Sequence, residues 1–188
     1  MTAISAIIDK KNKKTYLASD QMGSDGFTGQ NFITKKIFKN KHLTIAMCGS
    51  YRLGQVLQHN LDPRPFQIGE TINEYVFDYL DSHIRKTFKE RKCLSVEDEV
   101  EFLECAEFII AIKDRIFVLQ DDLAMLEPER IFITSGSGKY HQEASIHTQL
   151  EMNSKKDYKE ILKDAIRYTS KIVLSVGGEP QVIEHNHK

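Results

Sequence analysis

Thr2, directly after the initiator methionine, is the residue of this sequence with the most distinctive chemistry. Removal of Met1 would leave Thr2 with a free α-amine beside its own hydroxyl, so one residue would carry both a nucleophile and a base. The hydroxyl is a poor nucleophile until a base accepts its proton, and an α-amine titrates at about 7.7–8.0, which suits that task at neutral pH. Many chains begin with threonine at this position, so the hypothesis depends on residues that could support it.

Asp20 and Lys36 could supply that support. A cation near the amine disfavours a second positive charge there and keeps the amine neutral, and a carboxylate would hold the lysine in place. Each residue has an ordinary alternative: Asp20 could cap a turn before a glycine-containing loop, and Lys36 belongs to a basic cluster, residues 35–41, that water could solvate. In a strand, Lys35 and Lys36 point to opposite faces, so Lys36 faces the core if Phe38 does.

The segment Gly136-Ser137-Gly138 follows a strand-like run and precedes a helix-like one. It is not a phosphate-binding loop, because that motif needs glycine where Ile133 stands and serine or threonine where Tyr140 stands. Small residues between a strand and a helix allow a close backbone approach, which could place the Ser137 hydroxyl beside the nucleophile. Gly49 occupies a similar strand-to-helix turn, where its backbone N–H could bind an oxyanion; an ordinary turn is the alternative.

Hydrophobic patterns predict strands, two helices, further strands, two further helices and a last strand. The predicted strands are 3–9, 15–20, 36–38, 42–48, 106–112, 115–120, 130–134 and 180–184. The predicted helices are 51–61, 70–91, 139–152 and 156–173. Residues 22–30 are rich in glycine and predict a loop, and the charged residues 92–101 predict a connector. This order lacks regular β-α-β alternation and predicts an α+β sandwich, with sheets inside and helix pairs outside.

The composition excludes several classes of function. The 188 residues carry a formal net charge of -1, which gives no field to attract nucleic acid or an anionic membrane. No apolar run is long enough to span a membrane, and the N-terminus lacks the charge order of a secretory signal. Three irregularly spaced cysteines favour reduced thiols, and the histidines have no metal-ligand spacing. We therefore expect one domain, residues 1–188, in the cytoplasm, without a metal or cofactor.

Five short motifs stand in a defined order along nearly the whole chain. They are Thr2-Ala3-Ile4, Ala18-Ser19-Asp20, Lys36-Ile37-Phe38, Cys48-Gly49-Ser50 and Gly136-Ser137-Gly138. Their order and spacing resemble the proteasome β-type family of N-terminal nucleophile (Ntn) hydrolases, including the interval of 16 residues from Asp20 to Lys36. The closing segment, residues 176–183, resembles the family's connection from the last helix to the final strand. The bacterial, HslV-like peptidases of the family are most similar in length and start.

The resemblance implies a four-layer αββα sandwich and a threonine peptidase mechanism. Thr2 would attack an amide carbonyl, and its own amine would carry the proton. Lys36 would set the electrostatics, Asp20 would orient Lys36, Ser137 would support the amine, and the Gly49 N–H would bind the oxyanion. The resemblance also implies a homo-oligomeric ring that degrades peptides or unfolded proteins, with an ATP-dependent unfoldase as a possible partner. Neither nucleic acid nor membrane is an expected partner.

Two departures from the family pattern leave other functions open. Large residues, Tyr51-Arg52-Leu53, follow Ser50 where the family continues through small ones, so the pocket beside the oxyanion glycine has a different shape. Residues 173–178 read VLSVGG where the proteasome has Asp-x-x-Ser-Gly-Gly, so one carboxylate and one hydroxyl are missing. A catalytically silent structural or assembly subunit is one alternative, and retained Met1 would favour it. An enzyme for small amides is the other.

Overall fold

The computed structural model describes residues 2–24, 28–152 and 154–187, and most of its strands belong to two antiparallel sheets. The strands are β1 (Ile4–Asp9), β2 (Lys14–Ser19), β3 (Met22–Ser24), β4 (Gly29–Asn31), β5 (Ile37–Asn40), β6 (Leu43–Gly49), β7 (Ser95–Glu97), β8 (Val100–Phe102), β9 (Ala106–Ile112), β10 (Arg115–Leu119), β11 (Met125–Leu126), β12 (Phe132–Ser135) and β13 (Gln181–Asn186). The helices are α1 (Tyr51–Asn60), α2 (Asp81–Glu90), α3 (Lys139–Glu151) and α4 (Tyr158–Ser170); a π-helical segment, Glu74–Leu80, leads directly into α2.

The two large sheets have different strand orders. The N-terminal sheet has the order β12-β1-β2-β13, and the second sheet has the order β11-β10-β9-β6-β5. All the pairings are antiparallel. Two further hairpins, β3-β4 and β7-β8, lie outside these sheets. Strand β1 therefore lies inside its sheet between β12 and β2, which places the residues just before it next to the ends of both neighbours.

Three apolar clusters define the order of the layers. One contains residues of the second sheet together with α1 and α2, and another contains residues of the N-terminal sheet together with α3 and α4. The third lies between the two sheets and includes Ile4, Ala6, Ile109 and Ala111. Since successive side chains of a strand alternate between faces, β1 supplies Ile4 and Ala6 to the space between the sheets and Ile7 to the helix side. The result is a four-layer αββα sandwich.

The structure confirms the predicted fold class and the main strands and helices. The predicted loop at 22–30 instead contains β3 and β4, and its residues 25–27 lie outside the described ranges. The predicted connector at 92–101 contains the hairpin β7-β8, whose strands of three residues each are too short to show an alternation by themselves. Within the described ranges, no helix is long and apolar enough to cross a membrane.

Candidate active site

The register of β1 brings Thr2 next to two distant parts of the chain. Ile4 pairs with Ser135 of β12 and with Ser19 of β2, so continuing the ladders toward the N-terminus places Thr2 opposite Ser137 and Ala3 opposite Asp20. The hydrogen bonds agree with this geometry. The Gly138 N–H donates to the Thr2 carbonyl oxygen at 3.3 Å, and the Asp20 N–H donates to the Ala3 carbonyl oxygen at 3.1 Å.

Ser137 contacts both ends of the Thr2 backbone. The Thr2 nitrogen donates to the Ser137 Oγ at 3.2 Å, and this Oγ donates to the Thr2 carbonyl oxygen at 3.2 Å. The neighbouring Gly136 has a φ of +88°, and a Cβ atom there would lie 2.2 Å from the Thr2 carbonyl oxygen. Only glycine therefore permits this approach. Ser137 thus lies beside Thr2, and its support of a Thr2 amine stays a prediction.

Asp20 and Lys36 form a buried ion pair beside this backbone. The Lys36 Nζ donates to Asp20 Oδ1 at 2.7 Å, and the side chains are 1% and 0% exposed. The Ala3 N–H donates to the same carboxylate oxygen at 3.0 Å. The other oxygen, Oδ2, accepts from the N–H groups of Met22 and Gly177, each at 3.2 Å. Asp20 thus connects Lys36 to the backbone between Thr2 and β1.

The Lys36 side chain does not point to the same side of the sheet as Phe38, which simple alternation along a strand would predict. Phe38 belongs to the cluster under α1 and α2, whereas Lys36 lies one residue before β5 and reaches Asp20 in the other sheet. The alternation thus predicted that Lys36 is buried while Lys35 is exposed, but not where it points.

Burial lowers the pKa of Lys36 from its ordinary value, and the Asp20 charge opposes that shift. An ammonium has three N–H donors, and two of them are engaged, with Asp20 and with the Met22 carbonyl oxygen at 2.6 Å. The third has no partner among the described residues. It could serve a reacting group near Thr2.

Gly49 ends β6 in a conformation that requires glycine. Its φ is +86°, and a Cβ atom would lie 1.5 Å from the Cys105 carbonyl oxygen. Ser50 donates to that same carbonyl at 3.1 Å, so in the alternating antiparallel ladder the Gly49 N–H points away from β9. This N–H is therefore placed outside the β6–β9 pairing, where a substrate carbonyl could use it.

Two cavities open on Thr2, and Gly49 lines both. The first has a volume of about 360 Å³ and contains Cys48, Cys105, Ala106, Glu107, Asp121, Gly136, Ser137 and Lys139. The second has a volume of about 340 Å³ and contains Gly23, Ser24, Thr28, Gln30, Phe32 and Tyr51. A larger groove of about 700 Å³ lies between α3 and α4, away from these residues. An extended substrate crossing Thr2 could therefore place groups in two different environments.

Several residues of the site were not predicted from the sequence. Ser175 is buried, and its Oγ lies 3.2 Å from the Ser137 Oγ. The proteasome pattern has a serine where Val176 stands in this chain, and Ser175 thus supplies a hydroxyl one residue earlier. Glu107, which hydrogen-bonds Ser135, also lines a cavity at Thr2. No local motif marks either residue, since each reaches the site through packing of distant segments.

The five predicted site residues, Thr2, Asp20, Lys36, Gly49 and Ser137, are thus assembled around the start of β1. Ser137 hydrogen-bonds Thr2, Asp20 hydrogen-bonds the Ala3 N–H and Lys36 hydrogen-bonds Asp20, while Gly49 shares both cavities with Thr2. In the described part of the chain, no group of three or more His, Cys, Asp or Glu side chains could hold a metal ion. The chemistry that the arrangement offers is therefore that of a hydroxyl, a buried ion pair and backbone N–H donors.

Comparisons with known proteins identify the fold through structure and not through sequence. No protein-family model and no curated protein matches the chain. A structure described as Thiobacillus denitrificans BPH in complex with epoxomicin superimposes with a TM-score of 0.78 at 16% identity, covering 98% of this chain and 99% of the other. A crystal structure of eukaryotic HslV from Trypanosoma brucei gives a TM-score of 0.73 at 19% identity, covering 99% and 100% of the two chains. The chain has an HslV-like, proteasome β-type Ntn hydrolase fold.

Proposed function

We propose that this chain is a threonine-type peptidase or amidohydrolase in which Thr2, after removal of Met1, is the nucleophile. One observation carries the proposal: the Thr2 nitrogen and the Asp20–Lys36 ion pair meet at the start of β1, beside two cavities. In the full chain this nitrogen is a peptide N–H. In the processed chain it is an α-amine that could accept a hydrogen bond from Ser137.

In the proposed reaction, the Thr2 amine takes the proton of the hydroxyl, and the oxygen attacks the amide carbonyl carbon. The tetrahedral oxyanion accepts a hydrogen bond from the Gly49 N–H. The amine then gives its proton to the leaving nitrogen, and an ester between Thr2 and the acyl group remains. Water, deprotonated by the same amine, hydrolyses this ester and restores the free hydroxyl.

The Asp20–Lys36 pair acts on the protonation of the Thr2 amine. A positive charge on Lys36 disfavours protonation of a neighbouring amine, so the amine stays available as a base near neutral pH. Asp20 holds Lys36 and the Ala3 N–H at the same time, which fixes the cation relative to the nucleophile. Ser137, supported by Ser175, orients the amine.

We also propose that the protein works in the cytoplasm as a homo-oligomeric ring on peptides or unfolded proteins, with an ATP-dependent unfoldase as a partner. The HslV-like fold supports this setting. The solved BPH structure contains epoxomicin, which supports a test with a related electrophile. A monomer with an open cleft would favour the alternative of an enzyme for small amides.

The decisive experiment is the intact mass of the purified protein before and after exposure to a peptidyl epoxyketone. We expect a mass lacking Met1 and one covalent adduct that is absent in Thr2→Ala and retained in Thr2→Ser. Alanine is also small, so this variant leaves removal of Met1 unchanged. A protein that keeps Met1 and forms no adduct would overturn the proposal and favour a catalytically silent assembly subunit.

A further inference from the structure

The two cavities at Thr2 differ in charge. Among the residues that the structure describes, the cavity on the side of β3 and β4 is lined, besides Thr2 and Gly49, by the uncharged Gly23, Ser24, Thr28, Gln30, Phe32 and Tyr51. The cavity on the side of β9 contains the charged residues Glu107, Asp121 and Lys139. A substrate that spans Thr2 would therefore meet the fixed charges of Glu107, Asp121 and Lys139 on the side of β9.

Glu107 occupies an unusual place for a carboxylate. On β9, Ile109 and Ala111 belong to the cluster between the two sheets, and Phe108 belongs to the cluster under the helices. Alternation puts Glu107 on the same face as Ile109 and Ala111, at the end of the strand where the space between the sheets opens toward Thr2. The side chain is partly buried there. An apolar residue would suit this position better if packing were its only role.

The Glu107 carboxylate is held in position, but it has no cationic partner in the part of the chain that the structure describes. Its Oε2 accepts a hydrogen bond from the Ser135 Oγ, which also lies 3.2 Å from the Cys48 Sγ. Burial is the main cause that raises the pKa of the Cys48 thiol, so this neighbour stays neutral. Across residues 2–24, 28–152 and 154–187, no Lys, Arg or His nitrogen lies within 4.0 Å of Glu107. The second oxygen, Oε1, is thus available to a ligand.

The other charges of this cavity leave Glu107 uncompensated. Lys139 lines the cavity, but its ammonium lies 5.0 Å from the centroid of the exposed Tyr140 ring and forms no ion pair among the described residues. Asp121 adds a second carboxylate and is exposed. The formal sum for Glu107, Asp121 and Lys139 is one negative charge. A cationic group entering the cavity would reduce it.

We propose that the cavity lined by Glu107 is a substrate subsite that selects a cationic group, a primary ammonium or a guanidinium, through the Glu107 carboxylate. This inference rests on the proposed function, because it assumes that Thr2 cleaves the substrate that spans the two cavities. Ser135 fixes one carboxylate oxygen, and the substrate cation donates to the other.

The test uses the Met1-free protein and acetyl-capped peptides that differ only in lysine or norleucine, scanned on both sides of the scissile bond. Norleucine keeps the aliphatic chain and removes the ammonium. A hydrogen-bonded charge pair predicts that kcat/KM for lysine exceeds that for norleucine by about tenfold to a hundredfold at one position. The same peptides with a free N-terminus separate a side-chain ammonium from the peptide's own α-ammonium; a preference for either cation supports the subsite.

Substitutions of Glu107 should abolish or reverse the preference for a cationic substrate residue, which a purely structural role of Glu107 would not produce. Glu107→Gln should reduce the ratio of lysine to norleucine to about one, and Glu107→Lys should make glutamate better than lysine at that position. Glu104→Gln is the matched control, since Glu104 is exposed and hydrogen-bonds Ser95 outside the cavity; its ratio should equal that of the unaltered protein. If the Glu107 variants do not fold, the ratio in the unaltered protein should still fall as salt is raised.

The outcomes separate this inference from the proposed function. Cleavage that depends on Thr2 but shows equal kcat/KM for lysine and norleucine at every position would overturn the subsite and leave the peptidase intact. A preference for lysine that persists unchanged in Glu107→Gln would also overturn it. Absence of any adduct or cleavage would remove the proposed function, and the subsite with it.

Discussion

Breaking the Asp20–Lys36 pair should destabilise the fold strongly, because both groups are almost fully buried. We consider Lys36→Met, which keeps the length of the side chain and removes its charge, and Asp20→Asn, which keeps the shape and removes the opposite charge. Lys35→Met is the matched control. Lys35 is the preceding residue and is exposed, so its substitution should change the free energy of unfolding by no more than about 0.5 kcal/mol.

The contacts allow the two costs to be ranked. Removal of one member of a buried ion pair costs about 3–5 kcal/mol, because the other charge stays buried without compensation. After Lys36→Met, the Asp20 carboxylate still accepts three backbone N–H bonds, so we expect a cost of about 3 kcal/mol. After Asp20→Asn, the Lys36 charge stays buried without a counter-ion and the new NH2 group faces N–H donors, so we expect about 5 kcal/mol. For a chain of this size, these values correspond to a Tm lower by roughly 6–20 °C.

Urea unfolding followed by far-UV circular dichroism, at one protein concentration, measures these differences. The double variant Asp20→Asn with Lys36→Met should cost about 1–3 kcal/mol less than the sum of the single variants, since it leaves no unpaired charge. If Lys36→Met behaves like Lys35→Met and the double variant equals the sum, the reasoning about a buried, coupled pair is wrong.

Three further predictions concern Gly49, Ser175 and His185. Gly49→Ala should lower the free energy of unfolding by about 3 kcal/mol or more, because the new Cβ atom would clash with the backbone. Gly69 has a similar φ of +80° and no atom within 4 Å of such a Cβ, so Gly69→Ala should lower it by only about 1 kcal/mol. Equal losses for the two variants in urea unfolding would contradict this. Ser175→Ala removes a contact of Ser137 and should lower kcat/KM by about tenfold or less with little change in Tm; an unchanged kcat/KM would exclude a role for that contact. Burial lowers the pKa of His185 to about 4, so protonation favours the unfolded chain. The free energy of unfolding should therefore fall by about 3 kcal/mol from pH 6.5 to pH 4. His185→Asn should remove this part of the pH dependence, and a pH profile identical to that of the unaltered protein would refute the argument.

The residues of the site that lie in short local motifs could be predicted from the sequence. Gly49 and Gly136 are required by turns between a strand and a helix, and both have positive φ values in the structure. Asp20 and Lys36 lie at strand ends that the hydrophobic pattern marks. The hairpins β3-β4 and β7-β8 were missed because strands of three residues are too short to carry a periodic signal.

Most strands and helices could be predicted from the sequence alone, because alternation and helical periodicity are local properties of the chain. The sequence also placed glycine where backbones approach within van der Waals contact. Only the tertiary structure decided which distant side chains meet at Thr2. The antiparallel register aligned Ser137 and Asp20 with the start of β1. Packing of the two sheets brought Glu107 to the same region, and the connection from α4 to β13 brought Ser175 there. These hydrogen bonds join residues between 17 and 135 positions apart, so they depend on how the strands and layers pack and not on any local pattern.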